Sequence, residues 1–205
     1  MGLRSRFFAL TYDLQLAKVE KAGLRETRQR LIGGANGRVL EIGGGTGANL
    51  PHYAEGVELT VTEPEEPMLK RLRQRVETEA PETEVVQAPA EALPFEDGSF
   101  DAAVTTLVLC GVDDQSRALG ELRRVLRPGG RLLFIEHVRS EDPGQARWQD
   151  RLNFLSQFVS CCDCNRSTLA SIEAAGFEIE GVEHSELPKS PPFVRPLIVG
   201  TAARS

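Results

Sequence analysis

The chain has 205 residues, 40% hydrophobic and 26% charged, with 19 Gly, 12 Pro and 4 Cys, a composition that excludes collagen-like, disordered and disulfide-scaffold chains. Its 24 Lys/Arg and 30 Asp/Glu leave a net charge of −6, which argues against a nucleic-acid partner, since such binders present a basic face. The balance is uneven: residues 1–38 carry eight basic and three acidic side chains, net +5, so the remainder nets −11.

Arg4, Arg6, Phe7, Phe8 and Leu10 make a basic, greasy start. It suits a lid packed on its own domain, or a membrane surface reached through residues 1–10. Residues 14–32 read as a helix, with Leu14, Ala17, Leu24 and Leu31 near one face and Gly33-Gly34 ending it. Arg38–Ile42 is a short apolar strand that runs into Gly43-Gly44-Gly45-Thr46-Gly47, and Ala48–Tyr53 is expected to open a helix. Glu58–Thr62 is a β-branched strand ending at Glu63. Pro67 begins a helix with Met68, Leu69, Leu72 and Val76 inward. Strands follow at Glu84–Gln87 and Asp101–Leu109, then a helix at Gln115–Leu126. The tight turn Arg127-Pro128-Gly129-Gly130 leads into a strand at Arg131–Val138. Helices are expected at 144–159 and 167–175, and strands at Phe177–Glu183 and Phe193–Ala202. This alternation means an open, mostly parallel α/β sheet. No linker divides it, so residues 1–205 read as a single domain.

No apolar run reaches the roughly 20 residues of a bilayer span, and no secretory signal precedes the domain. Cys110, Cys161, Cys162 and Cys164 lack the spacing of a disulfide framework, so a reducing, cytoplasmic setting is expected. The trio at 161–164 could hold zinc or a trivalent arsenical, but zinc wants a regular set of four ligands and no fourth is evident. Free thiols are the expectation, with Cys110 packing as a small apolar side chain. No metal site is expected.

In an open α/β sheet the ligand lies at the carboxyl ends of the strands, where the glycine loop stands. Two patterns coexist there. Gly43-x-Gly45-x-x-Ala48 fits the dinucleotide fingerprint, and Gly43-x-Gly45-x-Gly47 fits binders of S-adenosylmethionine (SAM). Glu41 separates them. A carboxylate two residues before the loop repels a pyrophosphate and attracts the SAM ammonium. Glu63, 20 residues after Gly43, is placed to accept the ribose hydroxyls of either cofactor.

Val39-Leu-Glu-Ile-Gly-Gly-Gly-Thr-Gly47, Ala90-Glu-Ala-Leu-Pro-Phe-Glu-Asp-Gly-Ser-Phe-Asp101 and Arg124-Val-Leu-Arg-Pro-Gly-Gly130 together resemble, in order and spacing, three motifs of class I SAM-dependent methyltransferases. The stretches Gly47-Ala-Asn-Leu50, Thr105–Val112, Ile135-Glu-His-Val138 and Phe193–Gly200 are similar to the methyltransferase-like family containing alkyl-thiol S-methyltransferases. Glu63 stands where that family usually has Asp, and Gly44 where Cys is common. The resemblance implies a Rossmann-like fold: a mostly parallel seven-stranded sheet with an antiparallel last strand and helices on both faces. It implies an amino-terminal helical lid at 1–33 and a helical cover over the acceptor site at 140–175. It also implies that Ala90 offers its backbone amide to adenine, Glu91 lies near the adenine amino group, Thr106 lines the cofactor, and Tyr12 closes over its methionine end.

Methyl transfer from a sulfonium asks the protein to align nucleophile, carbon and sulfur and to exclude water. His137, at the end of a strand facing the crevice, is the candidate base; Asp13 is a poorer one. A thiol, with a pKa of roughly 8.5, needs little help from a base. Phe154, Leu155, Phe158 and Val159, with Phe7, Phe8 and Phe193, suggest a greasy pocket. The expected function is therefore methylation of a small hydrophobic acceptor, first a thiol, with N-, O- or C-methylation as the alternative. Arsenite methylation, a nicotinamide-dependent reductase and a non-enzymatic SAM-binding accessory protein stand further off.

Overall fold

Strand formation follows the apolar, β-branched runs closely. The computed structural model describes residues 16–160 and 162–205, and the side chains of all these except 158–160. Seven strands form one sheet: β1 (Arg38–Ile42), β2 (Glu58–Thr62), β3 (Glu84–Val86), β4 (Phe100–Thr106), β5 (Leu126–His137), β6 (Phe177–Glu186) and β7 (Pro196–Arg204). Their order is β3-β2-β1-β4-β5-β7-β6. The ladders β1–β2, β1–β4, β2–β3 and β4–β5 are parallel, and β7 runs antiparallel to both neighbours. This is the Rossmann-like arrangement with an antiparallel last strand.

The described chain also holds the α-helices α1 (Arg25–Ile32), α2 (Glu66–Glu79), α3 (Gln115–Val125), α4 (Pro143–Ser160) and α5 (Thr168–Ala174). One sheet face carries Leu40, Ile42, Ala103, Leu132 and Phe134, packed on Leu119, Leu122 and Ile172 of α3 and α5. The other carries Val39, Val61, Val104 and Leu133, packed on Ile32 of α1 and on Leu72 and Val76 of α2. Beyond these, Ile135, Leu197 and Val199 pack on Leu24, ahead of α1.

Several boundaries differ from expectation. The first helix is not uniform: Glu20–Leu24 is a π-helical turn, kinked at Gly23 with φ 133°. Such a backbone is open to glycine and closed to most other residues. No helix follows the glycine loop; Leu50–His52 is a single 3-10 turn with proline at its start, and Tyr53 is already extended. Strand β4 stops at Thr106, because Leu107 takes the left-handed conformation (φ 59°). The turn at 127–130 loops out of β5, between the pairs Phe100–Leu126 and Ala102–Arg131. The expectations placed on residues 1–15, Tyr12 and Asp13 among them, lie outside the described residues.

The register positions the site. Glu41 lies across from Val104, Thr106 across from Ile135, and His137 two residues further along β5. Side chains alternate along a strand, so Glu41, Thr106 and His137 share one face at the carboxyl ends of three adjacent strands. That is the face α1 covers.

Candidate functional site

Glu41 is the centre of a buried polar network. Its side chain is 3% exposed. The Tyr53 hydroxyl donates to Oε2 at 2.6 Å and the Asn49 amide to Oε1 at 3.0 Å. Asn49 also donates to Thr106 Oγ1 at 3.1 Å, joining β1 to β4. Its own oxygen accepts from the Arg28 guanidinium of α1 at 2.5 Å, and Arg28 is held in turn by Glu20 at 2.8 Å. Burial pushes the Glu41 carboxyl up to about 7, while Tyr53 and Asn49 pull it down. A cation arriving beside it would favour the charged form.

The glycine loop folds tightly against this network. Gly43 has φ 59°, and a Cβ there would stand 2.7 and 2.8 Å from the two methyl groups of Val108. A Cβ on Gly44 would meet Val61 at 2.2 Å. The β2 side chain therefore fills the room that any side chain at this position would need. The Gly47 amide closes the turn on the Gly44 carbonyl at 2.8 Å. The Gly45 amide donates to Glu63 Oε2 at 2.9 Å, and the Glu65 amide to Oε1 at 3.0 Å. Glu63 is 5% exposed, and burial raises its pKa against the pull of those amides. A carboxylate has about four lone-pair positions, so two remain for a diol. Two buried carboxylates ending β1 and β2 fit a cofactor bearing a cation and a diol. A pyrophosphate placed in the same loop would meet both.

The remaining sequence candidates divide. Ala90 is buried against the α3 layer. Glu91, expected beside an adenine amino group, turns Oε1 to the amides of Asp113 and Asp114 ahead of α3, at 2.9 and 3.2 Å. In this structure it ties one loop to the next. His137 is 8% exposed, and burial lowers its pKa to about 4, the carbonyls of Val194 and Pro196 offsetting part of the effect. Burial thus favours the neutral imidazole at pH 7. Its Nδ1 is buried with no hydrogen-bond partner among the described residues. Phe154 and Leu155, expected to line a pocket, are 68% and 39% exposed. A small cavity of about 160 Å³ lies between Gly23 and Pro188, away from the glycine loop.

Sequence reasoning passed over Glu136. It is fully buried, and burial lifts its carboxyl to about 7. It accepts from the amides of Val108 (3.1 Å) and Cys110 (3.4 Å). It thereby supports the loop after β4, where left-handed Leu107 stores roughly 1–3 kcal/mol of strain. Arg28, Asn49 and Tyr53 were likewise not singled out as site residues, because a polar residue on a helix or in a turn ordinarily faces water. Cys110, Cys162 and Cys164 are buried free thiols, and no group of metal ligands occurs among the described residues.

Comparison with known proteins agrees with this geometry. Residues 40–134 match the family model described as "Methyltransferase domain". The chain is 33% identical to human "Thiol S-methyltransferase TMT1A", over 96% of its own length and 83% of that protein's. It is also 33% identical to the "Phosphatidylethanolamine N-methyltransferase" of Cereibacter sphaeroides, over 72% and 77% respectively. Among solved structures, a SAM-dependent methyltransferase from Thermotoga maritima, described as a possible histamine N-methyltransferase, superposes with a TM-score of 0.74. The two chains match over their full lengths at 24% identity, a likeness of fold.

Proposed function

The chain belongs to the class I SAM-dependent methyltransferases, in the methyltransferase-like family that contains the thiol S-methyltransferases, and on that premise we propose that it S-methylates a small hydrophobic thiol. SAM supplies a methyl group activated on a sulfonium, which leaves as a neutral thioether. The chain's own residues bind, orient and dry the reactants. Glu41 receives the ammonium of SAM, and Glu63 its ribose hydroxyls. Gly43, Gly45 and Gly47 let the loop approach the cofactor closely. Ala90 and Glu91 flank the adenine, Thr106 lines the methionine side, and Tyr12 closes over it. Residues 1–33 form the lid and residues 140–175 the cover of the acceptor end.

One observation favours a thiol. The histidine at the acceptor end, His137, is held near 4, far below the range of an efficient base at pH 7. Glu41 and Glu136, the buried carboxylates nearby, already accept hydrogen bonds. An acceptor that can give up its proton without a strong base suits such a site, and a thiol at roughly 8.5 does so where an alcohol does not. The neutral His137 imidazole, through its unpartnered Nδ1, orients the S–H rather than taking its proton. The proton leaves to solvent. We place the enzyme in the cytoplasm, with residues 1–10 at a membrane surface and no nucleic-acid partner.

The test is mass spectrometry of the protein incubated with SAM and a panel of thiols, amines, phenols, quinols, phosphatidylethanolamine and arsenite. A thiol one methyl heavier, with S-adenosylhomocysteine released, is expected. Methylation confined to another class would retire the thiol and keep the fold and cofactor. The pH–rate limb adds a second readout: it should move with the pKa of the thiol supplied. A limb that stays fixed across thiols would return the proton to a base on the protein.

A further inference from the structure

Helix α4 is inverted relative to an ordinary surface helix. Three of its polar side chains, Gln149, Asn153 and Ser156, point inward. Gln149 is fully buried, donates to the carbonyls of Val138 (2.9 Å) and Cys164 (2.7 Å), and accepts from the Ser140 amide (2.7 Å). Asn153 donates to Asp163 at 2.7 Å and accepts from the Cys164 amide at 3.2 Å. Ser156 is buried beside them in sequence register. Three large apolar side chains point out: Trp148 is 60% exposed, Phe154 68% and Leu155 39%, with exposed Arg147 and Arg151 among them. At 3.6 residues per turn these five positions form one stripe.

Among the described residues, neither packing nor pairing accounts for that stripe. Gln149 and Asn153 fill the inner face with polar contacts, and among the described residues nothing covers the outer one. The helix's one acidic residue, Asp150, is engaged by Arg139 (2.6 Å) and Asn165 (3.1 Å). No acidic partner of Arg147 or Arg151 is found among the described residues. A second copy docked face to face through a two-fold axis would bring these arginines toward their own counterparts, an arrangement of like charges. The helix is not apolar enough to cross a bilayer.

We propose that the outer stripe of α4 docks on an anionic lipid surface. Trp148, Phe154 and Leu155 enter the boundary between headgroups and acyl chains, and Arg147 and Arg151 meet the lipid phosphates. An aromatic and aliphatic ridge flanked by arginines is the composition that lies in this boundary, with Trp at the headgroup level. Gln149 bonds the residue that follows β5, so docking would turn the acceptor end of the sheet toward the bilayer. The inference stands on α4 alone and does not depend on which acceptor is methylated. The net charge of −6 gives the molecule as a whole no attraction to an anionic surface, so the contact made by this stripe depends on its arginines and salt should weaken it.

Trp148 is the chain's only tryptophan, so its emission reports on this helix directly. The full chain is mixed with vesicles of phosphatidylcholine and phosphatidylglycerol, and separately with phosphatidylcholine alone. On the anionic vesicles the emission should shift to the blue and be quenched by brominated acyl chains. Phe154→Glu should weaken vesicle binding by about tenfold or more, the effect of losing one buried aromatic side chain. Arg147→Gln and Arg151→Gln should each weaken it about fivefold. Far-UV circular dichroism checks that each variant is folded. Binding without quenching would place the contact elsewhere, in residues 1–10 for example, and would overturn the proposal. So would emission that is already blue and shielded in the free chain, since the stripe would then be covered by protein. Equal quenching in phosphatidylcholine alone would overturn the anionic assignment.

Discussion

Cofactor affinity should depend on pH through Glu41. This carboxyl is buried, lies at about 7 and stands in β1, two residues before Gly43. Placed beside the SAM ammonium, it binds best when charged. Between pH 8 and pH 6 the charged fraction of a group at about 7 falls about tenfold, which is about 1.4 kcal/mol of binding free energy. Below pH 6 the loss continues at about tenfold per pH unit. The ammonium itself begins to lose its proton near pH 8, so the profile should be bell-shaped, with its acid limb belonging to Glu41. Isothermal titration calorimetry from pH 5.5 to 7.5, in buffers of different ionisation enthalpy, measures both the affinity and the protons released. Glu41→Gln should bind SAM about 10- to 100-fold more weakly at pH 7.5 and flatten the acid limb. Tyr53→Phe should move that limb to higher pH, because the Tyr53 hydrogen bond holds the Glu41 pKa down. A flat profile with no buffer-dependent enthalpy, or an unweakened Glu41→Gln, would refute the assignment.

Without cofactor, the native state should lose stability as pH rises from 5 to 8. Glu41 and Glu136 are both raised from 4.5 to about 7, so the folded protein holds protons that the unfolded chain has released. The penalty is about 3 kcal/mol for each carboxyl, and denaturant midpoints that climb over that range would contradict it. Glu63→Ala should leave the fold intact and weaken SAM binding at least about 30-fold by calorimetry; unchanged affinity would displace the ribose from β2. Gly43→Ala should cost about 2–4 kcal/mol in urea unfolding, from a positive φ and a Cβ pressed on Val108. His137→Ala should lower kcat for a thiol about tenfold or less, the effect of one neutral hydrogen bond. A loss of about 100-fold or more would make His137 a general base after all.

Much of the fold was legible in the residues. Arg38–Ile42 and Glu58–Thr62 read as strands, and they are strands at those bounds, because an apolar, β-branched run between turn residues has few other places to go. Pro67 marks a helix start that occurs where local chemistry puts it, and the helix expected at Gln115–Leu126 forms, its start held by the Asp114 carboxylate accepting from the Arg117 amide. The candidate cofactor loop was legible for the same reason: glycines and a preceding Glu are a local pattern. Local propensity failed where neighbours in space decide. Ala48–Tyr53 reads as a helix, yet Asn49 and Tyr53 are drawn to Glu41 and leave only a short turn. Leu107 is an ordinary strand residue by type, and its left-handed backbone stands on a loop supported by Glu136 of a strand remote in sequence.

The sequence by itself determined the order of strands and helices, the glycine loop, the acidic ends of β1 and β2 and the kind of cofactor they suit. Each of these depends on residues within a few positions of one another. Only the tertiary structure decided that Arg28 of α1 is buried against Asn49, that burial raises Glu41 and Glu136 to about 7 and lowers His137 to about 4, and that α4 turns its tryptophan outward. Burial is a property of what surrounds a side chain, and desolvation, the largest cause of each of these pKa shifts, is set by neighbours that the chain brings together only on folding.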